Sequence, residues 1–335
     1  MTYEDILKQF KERKFKPIYF LHGEEAYYID SIVKHAADFI LDESEKDFNQ
    51  TVVYAKDTPP INVVDAATRL PMMSEYQVVI VKEAQEYKKL DQWESFEKYF
   101  ESPSHSTILI FAYKYKKFDK RSKIYKILAK NAVVFESEGV KDYQLPTWIN
   151  DFVRSKGYSI TDKACALVAE YVGNELERIA NELGKLFILL PKGAQINEKH
   201  IEDNIGISKD YNVFELTNAI LEKDVLKANK IVQYFGENPK ATHITVVMGS
   251  LYGLYQRLFR AHFAKTDDPG KLASMLKIHP YAAQELNKNK RKHPPKMVSR
   301  NFSILREYDL ISKGVNKGNA SDADIMKELV YKLLH

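Results

Sequence analysis

Residues 17–40 read PIYFLHGEEAYYIDSIVKHAADFI, and they restrict the fold of this 335-residue chain more than any other stretch. Ile18, Tyr19, Phe20 and Leu21 form an unbroken apolar run behind a proline, the pattern of a short buried strand. Gly23 ends the run. Glu24 and Glu25 then stand where a helix N-terminus carries partial positive charge. Ala26, Ile29, Val33, Ala36 and Ile40 recur at helical spacing and give that helix one apolar face. Strand, glycine turn and helix together make the frame of a phosphate-binding loop, although many α/β proteins open with the same frame and hold no phosphate. Here the groups that do the chemistry are replaced. Along G-x-x-x-x-G-K-[ST] from Gly23, Tyr28 takes the second glycine, Ile29 the lysine and Asp30 the hydroxyl residue. Tyr28 blocks close approach of backbone to a phosphate, Ile29 cannot reach one and Asp30 repels it. The frame is kept, the nucleotide site is predicted lost, and no cofactor is expected.

Strand-like runs continue at residues 50–54, 77–81 (QVVIV), 107–111 (TILIF) and 132–135. Helical spacings lie between them, at residues 61–68, 90–100 and 121–129. Strands alternating with helices, without polar alternation inside the strands, predict a parallel sheet covered on both faces. After the third strand, where a phosphate-loop ATPase places an acid for Mg²⁺, stands Lys82, followed by Glu83. From Leu145 onward the pattern predicts no strand. Helices are expected with Asp162 and Asn197 as caps and Gly236 as a stop. The change of composition gives three domains: an α/β domain at 1–141 with a parallel five-stranded sheet, then two all-α domains at 142–208 and 209–335.

Bulk properties exclude several classes. A formal charge of +4 is too small to mark a nucleic-acid binder by itself. Cys165 is the single cysteine, so neither a disulfide framework nor a cysteine metal site is expected. There is no apolar stretch of about eighteen residues for a membrane span, and the N-terminus lacks the apolar core of a signal peptide. A cytoplasmic protein without a membrane partner is expected. No Ser/His/Asp, Cys/His or paired-carboxylate pattern stands out, so no catalytic residue and no metal site is assigned. His22, beside the glycine turn, reads as a structural histidine, since the sequence supplies no orienting partner.

Two lysine-rich stretches interleave with aromatics. Lys114, Lys116, Lys117, Lys120, Arg121 and Lys123 surround Tyr113, Tyr115 and Phe118, and Lys288, Lys290, Arg291, Lys292 and His293 form the second. Such patterns hold phosphate backbones and stack bases, but solvated loops of a lysine-rich protein look the same. Lys114, Lys116, Lys117 and Arg121 are retained as candidate DNA contacts. The segment Leu70-Pro71-Met72-Met73 joins a short helix to the third strand. Its apolar residues either belong to the core or anchor a partner, a task for which flexible thioethers are suited.

Taken together, the opening PIYFLHGEEAYYID, the segment RLPMMSEYQVVIVKEA, the helix FELTNAILEKD and the late REYDLISKGVNKG resemble the delta subunit of the bacterial DNA polymerase III clamp loader over nearly the whole chain. The resemblance implies an AAA+-like sheet domain, a helical lid and a C-terminal helical collar. It also implies a non-hydrolysing subunit that binds and helps open the ring-shaped sliding clamp (the beta subunit). Its partners would be the ATP-using gamma/tau subunits and delta prime, through the collar, and DNA within the assembled complex. The clamp contact of that family falls on Leu70, Met72 and Met73, with Met73 where an aromatic often stands. The stretch FDKRSKIYKILAK before the fifth strand lacks the Ser-Arg-Cys finger of ATP-using subunits. Two other functions stay open on sequence grounds: an active AAA+ ATPase with an atypical phosphate loop, and a free-standing nucleic-acid-binding protein.

Overall fold

Five apolar runs line up as one parallel sheet: β1 (Ile18–Gly23), β2 (Gln50–Tyr54), β3 (Gln77–Lys82), β4 (Thr107–Tyr113) and β5 (Val133–Ser137). The computed structural model describes residues 1–205, 211–278 and 280–335. The strand order is β2-β3-β4-β1-β5. In register, Ile18 faces Leu109 of β4 and Tyr19 faces Val133 of β5. β1 and β4 are buried at every position, which is why their sequences do not alternate. Edge strand β2 leaves Val52 and Tyr54 exposed.

Helices cover both faces: α1 (Tyr3–Lys11), α2 (Ala26–Phe39), α3 (Glu43–Asn49), α4 (Pro60–Thr68), α5 (Leu90–Glu94), α6 (Glu97–Glu101) and α7 (Lys123–Asn131). On one face Ile6 and Phe10 of α1 and Ile29, Ile32, Val33 and Ala36 of α2 pack on Tyr19, Leu21, Ile80 and Ile110. On the other, Val63, Ala67, Trp93, Phe96, Phe100 and Leu128 pack on Phe20, Val79 and Phe111. The single helix expected over residues 90–100 is broken into α5 and α6. The Phe96 N–H turns back to the Trp93 carbonyl at 3.1 Å, and Trp93, Phe96 and Phe100 all enter the same core. α3 was not foreseen, because ESEKDFN has no apolar stripe; only Asn49 is buried in it.

Contacts divide the chain into two compact units, Met1–Val140 and Lys141–His335. The second carries α8 (Leu145–Ser155), α9 (Asp162–Val172), α10 (Leu176–Leu189), α11 (Glu198–Ile205), α12 (Val213–Glu222), α13 (Val225–Glu237), α14 (Ile244–Phe263), α15 (Pro269–Leu276), α16 (Pro280–Asn289), α17 (Pro295–Ser312) and α18 (Asp322–Leu334). Three expectations are corrected here. A parallel two-stranded pair, β6 (Ser159–Ile160) and β7 (Gln195–Ile196), lies where no strand was expected; two residues are too few to show a period of two. Thr161, not Asp162, caps α9, accepting a hydrogen bond from the Ala164 N–H at 3.2 Å. Gly236 lies inside α13, where a Cβ would come within 3.0 Å of Ala323 Cβ, so the glycine serves close packing and not a stop. The boundary expected at residues 208 and 209 falls outside the described residues. Among those described, no helix is long and apolar enough to cross a membrane.

Candidate functional site

The segment after α4 is held from below by buried polar side chains. The last carbonyls of a helix lack partners within it. In α4 the Ala66 carbonyl accepts from the Gln77 side-chain amide, and the Ala67 carbonyl accepts from the Thr107 hydroxyl at 2.8 Å and the Tyr99 hydroxyl at 3.3 Å. The chain then turns to extended backbone at Arg69. Further along, Asn49 at the end of α3, 1% exposed, reaches the segment. Its Oδ1 accepts from the Met72 N–H at 2.6 Å, and its Nδ2 donates to the Met72 carbonyl at 2.9 Å and to the Glu45 carbonyl at 3.1 Å. Met73 follows in the left-handed region at φ 55°, a conformation that costs a non-glycine residue roughly 1–2 kcal/mol. The Ser74 hydroxyl then donates to the Tyr76 carbonyl at 3.2 Å, and the Tyr76 ring packs edge-on against Phe15.

Between these fixed points the apolar side chains face water. Leu70 is 80% exposed, Met72 61% and Met73 103%. The choice left open by sequence, core or surface, falls on the surface. Exposing such side chains forgoes roughly 1.5–3 kcal/mol of burial each. Clustered exposed apolar groups mark interaction sites more often than chance placement does.

The turn after β1 is built in the opposite way. Gly23 has φ 143°, and a Cβ there would lie 2.0 Å from the Ser137 carbonyl oxygen. The turn is closed by the Glu24 N–H donating to that carbonyl at 3.0 Å and by the Ser137 hydroxyl donating to the Glu25 carbonyl at 2.8 Å. Where a phosphate would meet the N-terminus of α2, the Glu25 carboxylate accepts from the Tyr27 N–H at 3.0 Å. Tyr28 packs against Tyr3 and Tyr27. Ile29 is fully buried in the core. The Lys114 ammonium lies 3.1 Å from both oxygens of Asp30 and 2.8 Å from the Glu83 carboxylate. Burial opposes the charge on Lys114, but hydrogen bonds to Glu83 and Asp30 outweigh it and hold the ammonium above its usual range. Burial likewise opposes the charge on Glu83, and hydrogen bonds from Lys114 and Gln85 hold its carboxyl below the usual range. An ATP phosphate chain with its metal does not fit this turn: the anion position is capped by a carboxylate, the lysine position is core, and the two acids are bridged by an internal cation.

Of the candidate DNA contacts Lys114 alone turns inward, while Lys116, Lys117 and Arg121 stay exposed and make surface contacts. Lys114 is buried and doubly paired. Lys117 pairs with Glu136 at 3.1 Å and Glu138 at 3.6 Å, Lys120 with Glu136 at 2.5 Å, and Arg121 with Asp119 at 3.1 Å. Lys116 lies over the Tyr113 ring. Tyr113 and Phe118 belong to the core cluster and are not free to stack on bases, whereas Tyr115 is exposed. In the second stretch, Lys290 pairs with Asp267 and the buried His293 bonds to the Leu221 carbonyl. His22 is buried, accepts the Phe118 N–H at Nδ1, and is pushed down to about 4 by burial, so it is neutral and structural. No cluster of three or more potential metal-binding side chains occurs among the described residues.

Sequence reasoning singled out Leu70, Met72 and Met73 but missed Asn49, which bonds the Met72 backbone, and Gln77 and Thr107, which bond the last carbonyls of α4 before the segment. A polar residue at the end of a helix too polar to be recognised gives no periodic signal. Gln77 and Thr107, polar openers of apolar strands, were the available clue.

A parallel sheet in this order, with a glycine turn after β1 closed by its own side chains and a helical unit following, has the fold of a clamp-loader delta protein. Residues 19–138 match the model of the family described as DNA polymerase III, delta subunit. The chain is 24% identical over 287 residues to DNA polymerase III subunit delta of Bacillus subtilis, a match that spans 83% of this chain and 82% of that one. Its fold is similar to that of the Bacillus subtilis DNA clamp loader delta protein (YqeN), with a TM-score of 0.56 and 21% identity over 99% of each chain. The resemblance read from sequence is borne out.

Proposed function

We propose that this chain binds a ring-shaped sliding clamp through Leu70, Met72 and Met73 and helps to open it during DNA replication, without hydrolysing ATP itself. The observation that carries the reading is three exposed apolar side chains on a segment whose backbone is held at Met72 by buried Asn49 and whose preceding helix end is held by Gln77, Tyr99 and Thr107. A loop left apolar for lack of constraint needs no such support. Anchors of this kind typically contribute about 2–4 kcal/mol each at the centre of an interface. Ring opening follows only if the loop holds the open ring more tightly than the closed one, because a ligand shifts an equilibrium by its differential affinity alone. The other partners proposed are the gamma/tau and delta prime subunits, through the helical region at 209–335, and DNA within the assembled loader.

The active-ATPase alternative is disfavoured by the closed turn at Gly23, Tyr28, Ile29 and Asp30. The nucleic-acid alternative loses Lys114, which is buried between the Asp30 and Glu83 carboxylates. Titration of the chain with the purified clamp of the same cell tests the main reading. Binding tighter than about 10 μM is expected, a free energy near −7 kcal/mol, and no saturable binding overturns it. Calorimetry with ATP and Mg²⁺ should show no binding in the same range, and micromolar binding would favour the ATPase reading.

A further inference from the structure

We infer that Asn49 is a positioning residue for the clamp contact, acting through the backbone of Met72 and not through the partner. The inference rests on the clamp reading above. The Asn side chain presents a donor and an acceptor side by side. Both are spent on one residue, since Oδ1 takes the Met72 N–H at 2.6 Å and Nδ2 gives to the Met72 carbonyl at 2.9 Å. The second Nδ2 proton goes to the Glu45 carbonyl in its own helix at 3.1 Å, which fixes the plane of the amide. At 1% exposure the side chain cannot itself touch a partner. On the far side of Met73 the Ser74 hydroxyl accepts the Tyr76 N–H at 3.4 Å and donates to the Tyr76 carbonyl at 3.2 Å, so the segment is tied on both sides of Met73, by Asn49 before it and by its own turn after it.

The grip matters because of what Met73 does. Its left-handed backbone at φ 55° is unfavourable for a side chain with a Cβ. Released at Met72, the segment would relax to extended conformations in which Met72 and Met73 no longer share one arrangement. Apparent affinity falls in proportion to the fraction of molecules in the competent arrangement. A fall of that fraction to about a tenth predicts roughly tenfold weaker clamp binding.

The test uses the full chain in four forms: wild type, Asn49→Ala, Met72→Ala with Met73→Ala, and all three changes together. Clamp affinity, the thermal midpoint and hydrogen exchange at the Met72 amide are measured on each. Asn49→Ala should bind the clamp roughly tenfold more weakly, with the Met72 amide exchanging faster. Added to the methionine pair, it should cost little more, because residues acting through one another are not additive. Asn49→Ser keeps a small hydroxyl that is too short to serve both Met72 groups, so it should lose affinity to an intermediate degree. It carries the test if the alanine form does not fold. Two results overturn the inference alone: full affinity in Asn49→Ala with an exposed Met72 amide, or a loss that adds in full to that of the methionine pair. A methionine pair that binds the clamp normally overturns the clamp reading itself, and the role of Asn49 with it.

Discussion

At residues 70–73 buried polar side chains hold apolar ones in water. At residues 23–30, within the same unit, apolar and paired charged side chains fill a turn that the same frame leaves open in a nucleotide-binding protein. Asn49, Gln77 and Thr107 spend hydrogen bonds on carbonyls and an N–H so that Leu70, Met72 and Met73 can stay outside. Ile29 and the Asp30–Lys114–Glu83 bridge do the reverse, drawing into the protein the positions that would face phosphate and metal. The same sheet thus carries one site kept open at a cost in burial and one closed from within. The practical lesson is that exposure of an apolar residue informs only when the groups beneath it are examined too.

The comparison is broken most severely at the closed turn. Ile29→Lys restores the lysine of a phosphate loop, but it places a charge in a fully buried position. The N-terminal unit should lose on the order of 4 kcal/mol or more, from lost packing and an unpaired charge. The variant should still bind no ATP. Urea denaturation with parallel calorimetry checks both; a variant of unchanged stability that gains ATP binding would show that the turn is an open site lacking one side chain.

His22 sharpens the comparison by a smaller amount. Its folded value lies near 4, below the usual 6.5, chiefly because burial disfavours the charged ring. Between those two values the unfolded chain takes up a proton that the folded chain refuses. Stability therefore falls as pH drops through that window and is unaffected by this group above it. From neutrality to about pH 5 the loss attributable to His22 should be about 2 kcal/mol. Denaturant midpoints across this range should flatten by that amount in His22→Gln. An unchanged slope would mean that His22 is solvated.

Much of this was legible in the sequence, for physical reasons. β1, β3 and β4 are covered on both faces, so their unbroken apolar runs were unambiguous. Ile29 and Asp30 were readable as departures from a phosphate loop because the spacing of such a loop is fixed by backbone geometry. The pairing of Lys114 was not legible because its partners, Asp30 and Glu83, are distant in sequence and come together only in the fold. Asn49 was invisible for the same reason: its partner Met72 lies twenty-three residues away. The pair β6 and β7 was too short to register, and the exposure of Met73 depends on a backbone angle that no pattern encodes.

The smallest expected stability effect is also the most telling. Met72→Ala with Met73→Ala removes side chains that bury little in the free protein, so the change in stability should stay within about 0.5 kcal/mol. The thermal midpoint and the clamp affinity of this double variant, measured on one preparation, test the account most directly. An unchanged midpoint with clamp binding weakened about a hundredfold or more is the result expected of two interface anchors. A lowered midpoint with clamp affinity intact in the folded protein would contradict the account and return these methionines to the core.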